Sequence, residues 1–386
     1  MNRQRAQARA LEGFQACPDV VAIRRACVRK AFIKREKLLK SSSGGVDDFD
    51  PRVIQGVGDL ANCLLGPWMY AFGKMLSKEW NVDSRITYAA GMNAEGVGSW
   101  LDNSCQQGYD YYLENDASRF DVSVWQDALV AEQRVYAGRG VGSYARIVLE
   151  EQLHVRGVTS HGHKYSVPGT RCSGDPNTSC GNSMLNAGAI AVCLRWLGIT
   201  DWRILVLGDD SVVALRQTID PQEFANCMRL LGFDAKAKIH DDPDMVEFCS
   251  SRFWQTTTGR VLGPKPGRFM AKIGFSTNEQ QDPRAWMKGV LIGVKQDTAH
   301  VPILNVYVSR CLALLKNVRG KAPREDYKFH VAGMHSASNG TYQQFYKLYG
   351  IGPSDVDSLK AYLNNINDLP YLMDHPVLDT LISVDV

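Results

Sequence analysis

The stretch LVLGDDSVVAL, residues 205–215, places two adjacent aspartates, Asp209 and Asp210, after a glycine and between two apolar runs. Short apolar runs bounded by turn residues predict buried strands, so the stretch predicts a hairpin with both carboxylates at its turn. Neighbouring carboxylates repel each other, and a bound divalent cation is the usual compensation because Mg²⁺ prefers carboxylate oxygen. Taken alone, a solvated Gly-Asp turn explains the stretch equally well.

Length and composition indicate a globular protein with room for a large core. The chain has 386 residues, 45% of them hydrophobic and 22% charged, which are ordinary values for a folded protein. The net charge of +3 is uneven, since residues 1–40 hold 11 Lys or Arg against 3 Asp or Glu and the remainder carries −5. A basic first segment indicates an anionic partner such as nucleic acid or nucleotide phosphates, although a solvated helix face is the simpler explanation of charge alone.

Several protein classes are not indicated by the sequence. The 10 cysteines show no zinc-ligand spacing and lie mostly among apolar neighbours, which predicts free thiols in the core. His161 and His163 in the tripeptide HGH form a weak metal candidate, because no third ligand stands at ligand spacing. No apolar run reaches membrane-spanning length, so we expect neither a transmembrane segment nor a signal peptide.

The order of predicted elements indicates an α+β fold. We expect a helical, basic segment over residues 1–40, a turn-rich insert over 41–50, a strand over 109–116, an amphipathic helix over 122–137, a hairpin over 155–172 and a helix near 221–231, with loops and helices from about residue 256 onward. Asp175 as N-cap, Pro176 and Gly198 predict a further helix over 176–197. The alternation predicts an antiparallel sheet that carries the carboxylates and is flanked by helices.

A second group of carboxylates lies in DASRFD, residues 116–121. If its strand neighbours the aspartate hairpin, Asp116 would meet Asp209 and Asp210, and three carboxylates can hold two Mg²⁺ ions about 4 Å apart for phosphoryl transfer. Asp121 would return to the same side only if a turn or helix begins after Asp116.

The stretch SGDPNTSCGN, residues 173–182, is the most specific one in the chain. Gly174 permits an unusual backbone angle beside the hydroxyl of Ser173. Thr178 and Asn182 are four residues apart on the predicted helix, so a hydroxyl and an amide share one face and can hydrogen-bond a sugar. A helix N-cap followed by a packing asparagine is the competing interpretation.

The order of DASRFD, SGDPNTSCGN, LGDD, LLGFDAK and EFCS resembles viral RNA-dependent RNA polymerases. The phrase GTRCSGDPNTSCGN is especially similar to polymerases of the tombusvirus-like group of positive-strand RNA viruses. The resemblance spans residues 30–255, and the order and spacing of its motifs are highly specific. It implies a right-hand polymerase with fingers, palm and thumb.

The resemblance also implies roles for individual residues. Asp116 and Asp209, supported by Asp210, would bind two Mg²⁺ ions, for which Mn²⁺ can substitute. Asp121 and Asn182, helped by Ser173, Gly174 and Thr178, would sense the 2′-hydroxyl of the incoming NTP, the group that distinguishes RNA from DNA precursors.

Basic residues complete the implied site. Lys236 would protonate the leaving pyrophosphate, with Lys238 as a competing candidate. FIKREK and PRVIQ resemble the basic fingers motif, so Lys34, Lys37 and Arg52 would neutralise the triphosphate, although a solvated helix face also explains the two lysines. Residues 248–250 would form the turn between palm and thumb that supports the primer end.

The implied layout has fingers and fingertips over 1–108 with the basic motif at 32–56, palm over 109–138 and 171–255, a fingers insertion over 139–170 and thumb over 256–386. The implied function is template-directed RNA synthesis from NTPs in viral genome replication and transcription. Template and product RNA would be partners together with other viral replication proteins, in the host cytoplasm or in membrane-associated replication complexes. A reverse transcriptase, a two-metal nuclease and a catalytically silent RNA-binding scaffold are the alternatives.

Overall fold

The computed structural model describes residues 19–37, 51–277, 279–280, 282–320 and 330–386. The described chain divides into two compact units, of which the first comprises 19–34, 51–90 and 113–239 and the second comprises the described remainder. Each unit has its own cluster of buried apolar side chains. Among the described helices, none combines the length and the apolar character that crossing a bilayer requires.

The first unit contains most of the elements that carry candidate site residues. Its first five elements in chain order are α1 (Val20–Ala26), β1 (Arg29–Ile33), β2 (Val53–Gly56), α2 (Asp59–Glu79) and β3 (Ile86–Tyr88); the next helix, α3 (Ala94–Gln106), belongs to the second unit. The chain then returns to the first unit with β4 (Tyr111–Ala117), α4 (Phe120–Ser123), α5 (Gln126–Gly138), α6 (Ser143–Glu150), β5 (His154–Thr159) and β6 (Lys164–Pro168). The remaining elements of this unit are α7 (Thr178–Trp196), β7 (Trp202–Leu207), β8 (Asp210–Leu215), α8 (Pro221–Leu230) and β9 (Ala235–His240).

Two sheets organise this unit. A four-stranded sheet has the order β2-β1-β5-β6, in which β1 pairs antiparallel with β2 and parallel with β5. A five-stranded sheet has the order β3-β7-β8-β4-β9, so the strand that ends near Asp116 is the neighbour of the aspartate hairpin. The expectation of a purely antiparallel sheet is wrong, because β3 joins β7 in parallel; the β7–β8 pair is antiparallel as expected.

The core of the first unit forms because α2 is amphipathic. Its buried residues Ala61, Leu65, Met69, Phe72 and Leu76 recur every three or four positions and therefore share one face. The Phe72 ring packs edge-on against Tyr136 of α5, with ring centroids 5.0 Å apart.

The second unit is mainly helical around a small sheet. Besides α3 it contains a 3₁₀ turn (Pro243–Met245), β10 (Glu247–Phe248), β11 (Ser251–Thr256), β12 (Gly259–Pro264), α9 (Pro266–Ile273), α10 (Pro283–Thr298), α11 (Leu304–Leu314), α12 (Asn339–Tyr349), α13 (Pro353–Asn364) and α14 (Pro376–Asp385). The three strands form an antiparallel sheet in the order β10-β11-β12. Two glycines bring elements into close contact: a Cβ on Gly98 of α3 would lie 1.8 Å from the carbonyl oxygen of Arg260, and one on Gly267 of α9 would lie 2.0 Å from that of Leu381.

Several predicted elements are confirmed. The amphipathic helix expected over 122–137 is α5, which begins four residues later than expected, while residues 122 and 123 belong to the separate short helix α4. The hairpin of 155–172 is the β5–β6 pair, and the helix near 221–231 is α8, after which Gly232 has a positive φ of 91°. Residues 109–116 give β4, which begins two residues later and ends one residue later than expected.

Other expectations are corrected. Within the predicted helical segment 1–40, residues 29–33 form a strand, and Lys34 and Lys37 follow that strand without helical structure, which removes the helix-face explanation for both. The helix expected over 176–197 begins at Thr178 because the Asp175 carboxylate pairs with Arg29 and does not cap the helix. Strand β12 lies in the region after 256 expected to hold only loops and helices. The insert over 41–50 and residues 1–18 lie outside the described residues.

Candidate active site

The aspartate hairpin is a tight turn attached to helix α7. Leu207 pairs directly with Asp210, so Gly208 and Asp209 form a two-residue turn, and Gly208 has a positive φ of 67° that favours glycine. The Gly208 backbone N–H donates to Ser183 Oγ at 2.7 Å, and Asn186 Nδ2 donates to the carbonyl oxygen of Asp209 at 2.8 Å. Because α7 holds the turn by its backbone, the Asp209 side chain stays available to a ligand.

Asp116 and Asp209 present exposed carboxylates, Asp116 near the end of β4 and Asp209 in the turn between β7 and β8. Neither carboxylate hydrogen-bonds or ion-pairs with any side chain in the described part of the chain, whereas Asp210 is half-buried at the start of β8. Unpaired carboxylate oxygens of this kind suit a hard divalent cation. No three His, Cys, Asp or Glu side chains of the described residues form a metal-binding cluster. The three-carboxylate site expected from the sequence at Asp116, Asp209 and Asp210 is therefore not confirmed by the described residues and stays a prediction.

Asp121 returns to the site through a turn after β4, as the sequence requires. Arg119 adopts a left-handed conformation with φ of 52°, and the short helix α4 follows it. The Asp121 carboxylate accepts a hydrogen bond from Asn182 Nδ2 at 2.7 Å and another from the Ser173 hydroxyl. The structure therefore brings together the three side chains that were expected to read a ribose hydroxyl.

A buried polar layer lies directly behind Asn182. Arg171 Nε donates to Asn182 Oδ1 at 2.8 Å, and its Nη2 pairs with the Glu132 carboxylate, both side chains being essentially inaccessible to water. Glu132 also accepts from Tyr136 Oη at 2.6 Å and from Asn177 Nδ2 at 2.7 Å. Burial is the largest single effect and disfavours the charged guanidinium, but the charge and hydrogen bond of Glu132, with Tyr136 and Asp175, together raise the pKa of Arg171.

The loop before α7 is held by the four-stranded sheet. Gly174 has φ of 137°, and a Cβ at this position would lie 3.0 Å from the carbonyl oxygen of Gln55 in β2, so both backbone angle and space favour glycine. Asp175 pairs with the fully buried Arg29 at 3.0 Å. Burial raises the pKa of Asp175 to about 6, against the opposing effect of that guanidinium. Thr178 Oγ1 donates to the carbonyl oxygens of Cys172 and Asp175, so it closes the loop onto the helix start.

The basic residues expected to bind triphosphate occupy different places. The Lys34 backbone N–H donates to the carbonyl oxygen of Arg52 at 2.8 Å, which places both residues at one end of the β1–β2 pair. Lys37 groups with the second unit, where its ammonium contacts the carbonyl oxygen of Lys272 at 3.5 Å and lies 5.9 Å from the Trp286 ring centroid. The structure therefore brings Lys34 and Arg52 together and places Lys37 among other residues.

Lys236 and Lys238 are exposed on strand β9, next to β4 in the five-stranded sheet. Since they are two residues apart on a strand, both side chains point to one face, which explains why sequence alone does not separate them. His161 and His163 are exposed at the tip of the β5–β6 hairpin.

Residues 248–250 form a sharp hairpin turn in the second unit. Cys249 and Ser250 have φ of 51° and 57° between β10 and β11, and such angles strain residues other than glycine. The predicted turn is confirmed, and its role at a primer end stays a prediction.

Sequence reasoning did not identify the buried partners Arg29, Glu132, Arg171, Ser183 and Asn186. Glu132 offered one signal, because it falls on the same helix face as the buried Leu129 and Tyr136. A charge on an apolar helix face requires a partner. Asn186 offered another, since it lies four residues beyond Asn182 on one face of α7.

Comparisons with known proteins show the family of this chain. A family model described as "Viral RNA dependent RNA polymerase" matches residues 27–351. The chain is 27% identical over 373 residues to the RNA-directed RNA polymerase of Pariacoto virus, covering 90% of this chain and 35% of that protein. It is 28% identical to that of Panicum mosaic virus, covering 87% and 36%, and 29% identical to that of Tomato bushy stunt virus, covering 72% and 35%.

The chain thus spans about a third of the length of the curated relatives it matches. The family model, in contrast, covers well over half of this chain and includes every candidate site residue named above. This chain belongs to the family of viral RNA-dependent RNA polymerases.

Proposed function

We propose that this chain catalyses template-directed RNA synthesis from NTPs by two-metal-ion nucleotidyl transfer, in viral genome replication and transcription. The observation that carries the proposal is the pair of exposed, unpaired carboxylates of Asp116 on β4 and Asp209 in the turn before the neighbouring strand β8. Five residues after Asp116 comes Asp121, whose hydrogen-bonded carboxylate can accept a bond from a hydroxyl. Family membership supports the same activity.

The carboxylates supply the ligands for the metal ions. Asp116 and Asp209, with Asp210 beside them, would hold two Mg²⁺ ions, or Mn²⁺ in their place. When bound, such ions lower the pKa of an attacking hydroxyl and neutralise charge on the reacting phosphate. The protein contributes a fixed turn, because Ser183 and Asn186 hold the backbone of the aspartate hairpin on α7.

The ribose is recognised by hydrogen bonding. Asp121 would accept a hydrogen bond from the 2′-hydroxyl of the incoming nucleotide, and Asn182 and Ser173 hold its two carboxylate oxygens in place. Gly174 and Thr178 shape the loop that carries Ser173. A site built to bond a hydroxyl disfavours the analogue that lacks it, since that analogue cannot donate the further hydrogen bond to Asp121.

Basic side chains bind the phosphates and supply a proton. Lys34 and Arg52 would contact the triphosphate from the end of the β1–β2 pair, and Lys37 would join them. Lys236 would donate a proton to the departing pyrophosphate, and Lys238 on the same face of β9 is the competing donor.

The proposed layout is that of a right hand with fingers (1–108 and 139–170), palm (109–138 and 171–255) and thumb (256–386). Template and product RNA would bind mainly through their phosphates, so binding should weaken as salt rises. Other viral replication proteins are proposed partners, and the host cytoplasm, including membrane-associated replication complexes, is the proposed location.

The activity is tested with a short primed RNA template, the purified chain and Mg²⁺, offering labelled NTPs and dNTPs in parallel reactions. We expect extension with NTPs and little with dNTPs. Preferential extension with dNTPs would instead identify a reverse transcriptase. RNA binding without extension by either nucleotide set would contradict the proposal and favour an RNA-binding scaffold.

A further inference from the structure

The Asn182 side chain is the central member of a continuous hydrogen-bond network. Its Nδ2 donates to Asp121 Oδ1 at 2.7 Å, and its Oδ1 accepts from Arg171 Nε at 2.8 Å. Arg171 in turn pairs with Glu132. The network therefore runs from the buried carboxylate of Glu132, through the Arg171 guanidinium and the Asn182 amide. It ends at the half-buried carboxylate of Asp121, which faces the proposed nucleotide site.

Arg171 determines which way the Asn182 amide points. Rotating the amide by 180° would place its oxygen against the Asp121 carboxylate and its NH₂ group against the guanidinium, two repulsive contacts in a poorly hydrated place. With Arg171 present, the amide donates toward Asp121. Without the Arg171 Nε donor, the amide loses one of the two contacts that set its orientation.

The Arg171 guanidinium is held through its partner Glu132, which is itself fixed by neighbouring side chains. Tyr136 and Asn177 hold its partner Glu132 by hydrogen bonds of 2.6 and 2.7 Å. Helix α7 makes room for the pair at Gly181, where a Cβ would lie 2.4 Å from Glu132 Oε1 and 2.5 Å from Arg171 Nη2. The Arg171–Glu132 pair can therefore pack against α7 only because Gly181, the residue before Asn182, has no side chain.

A buried ion pair of this kind is a poor device for stability alone. Desolvating both charges offsets much of their attraction, and apolar residues of similar volume often stabilise a fold equally well. An ion pair does fix orientation, because the planar fork of an arginine bonds two partners in a defined geometry. Here those two partners are Glu132 and Asn182.

We propose that Arg171, held by Glu132, is a positioning residue that sets the selectivity for ribonucleotides over deoxyribonucleotides by fixing the amide of Asn182. The proposal deepens the proposed function and rests on it. Arg171 is inaccessible and acts through Asn182 and Asp121, which are the groups that face the sugar.

The test compares wild type with Arg171→Lys and with Glu132→Gln. A lysine can pair with Glu132, but its single ammonium lacks the second arm that holds Asn182. We expect the ratio of kcat/KM for an NTP to that for the matching dNTP to fall by about tenfold in Arg171→Lys, since a hydrogen bond to a charged group is at stake. Glu132→Gln should shift the ratio in the same direction by less.

Arg252→Lys is the matched control. Arg252 is a nearly buried arginine that pairs with Glu247 and Asp385 in the second unit, and it has no described contact with Asp121 or Asn182. This variant should keep the wild-type ratio. If Arg171→Lys lowers kcat/KM equally for the NTP and the dNTP, the ratio stays unchanged. Arg171 would then be a purely structural residue, and the proposal would be overturned.

A second measurement is independent of polymerase activity. In protein labelled with ¹⁵N-asparagine, the Asn182 side-chain amide protons should exchange with solvent at least about tenfold faster in Arg171→Lys or Glu132→Gln than in wild type. Equal exchange in all three proteins would overturn the positioning role. If wild type extends no primer with either nucleotide, the proposed function fails, while this exchange still decides whether Arg171 fixes the amide.

Discussion

Burial shifts the pKa values of Asp175 and His300, and the two shifts make the stability of the fold depend on pH in opposite directions. Burial raises the pKa of Asp175 to about 6 and lowers that of His300 to about 4. The stability that Asp175 contributes is full below pH 4 and is lost as pH rises through 6. The stability that His300 contributes is present above pH 6.5 and is lost as pH falls toward 4.

Substituting His300 should isolate its contribution to the pH dependence of the unfolding free energy. His300 is completely buried, with His335 also lowering its pKa and Glu95 opposing that shift. We expect His300→Gln to be less stable than wild type at pH 7, and the difference to shrink by roughly 2 kcal/mol by pH 4.5, because only the wild type must bury an imidazole that the unfolded chain protonates. Urea unfolding at several pH values measures this.

His163→Gln is the control for that series, since His163 is exposed on the β5–β6 hairpin. Its unfolding free energy should follow the wild type at every pH. A constant difference between His300→Gln and wild type from pH 7 to 4.5 would contradict the assigned shift.

At the residue scale, sequence identified the candidate ribose-binding side chains and not the buried side chains that contact them. Asp121, Ser173 and Asn182 were predicted from motifs and are hydrogen-bonded together. Arg171 and Glu132 were not predicted, because a charged residue is normally solvated and burial depends on the packing of distant segments. The two lie 39 positions apart in the chain.

At the element scale, close packing between helices creates positions where only glycine fits. Helix α9 contacts α14 through Gly267, whose backbone N–H donates to Asp385 Oδ2 at 2.8 Å. Asp385 also accepts from Tyr349 Oη at 3.0 Å and pairs with Arg252. The last helix of the chain is therefore fixed by a buried polar group as well as by apolar contacts.

Gly267→Ala should separate α9 from α14. The added Cβ would lie 2.0 Å from the carbonyl oxygen of Leu381, so backbone must move, and we expect a loss of about 2 kcal/mol or more in unfolding free energy. Gly274→Ala at the end of α9 is the control, because nothing lies within 4 Å of its Cβ position and its φ is −81°. Urea midpoints measure both, and equal stability of the two variants would contradict the described packing.

Elements with strong periodicity or turn signals were predictable, and short strands were not. The α5 helix and the β7–β8 hairpin follow their sequence patterns. Strand β1 has only five residues within a basic segment, and its partners lie 20 to 26 positions away in β2 and 128 positions away in β5. The start of α7 was placed two residues early because Asp175 resembles an N-cap but is engaged by Arg29.

At the scale of the whole molecule, the two units divide the candidate chemistry. The carboxylates, the Asp121 group, Lys34, Arg52 and Lys236 belong to the first unit, whereas Lys37 and the turn at residues 248–250 belong to the second. The motif order predicted the family and the α+β class. The boundaries of fingers, palm and thumb stay predictions, because motifs mark points along the chain and domain limits depend on how the intervening segments pack.

The central claim is that Asp209, at the turn of the β7–β8 hairpin, carries nucleotidyl transfer. The most direct measurement is single-turnover extension of a primed RNA by wild type, Asp209→Ala and Asp83→Ala, with RNA binding measured on the same samples. Asp83 is an exposed aspartate in a turn before β3 and serves as the matched control.

We expect Asp209→Ala to lose at least about a hundredfold in extension rate while RNA affinity stays within about twofold of wild type, because the carboxylate acts on the reacting phosphate and not on template binding. Asp83→Ala should extend the primer normally. Extension by Asp209→Ala at the wild-type rate would contradict the assignment of the active site to this hairpin.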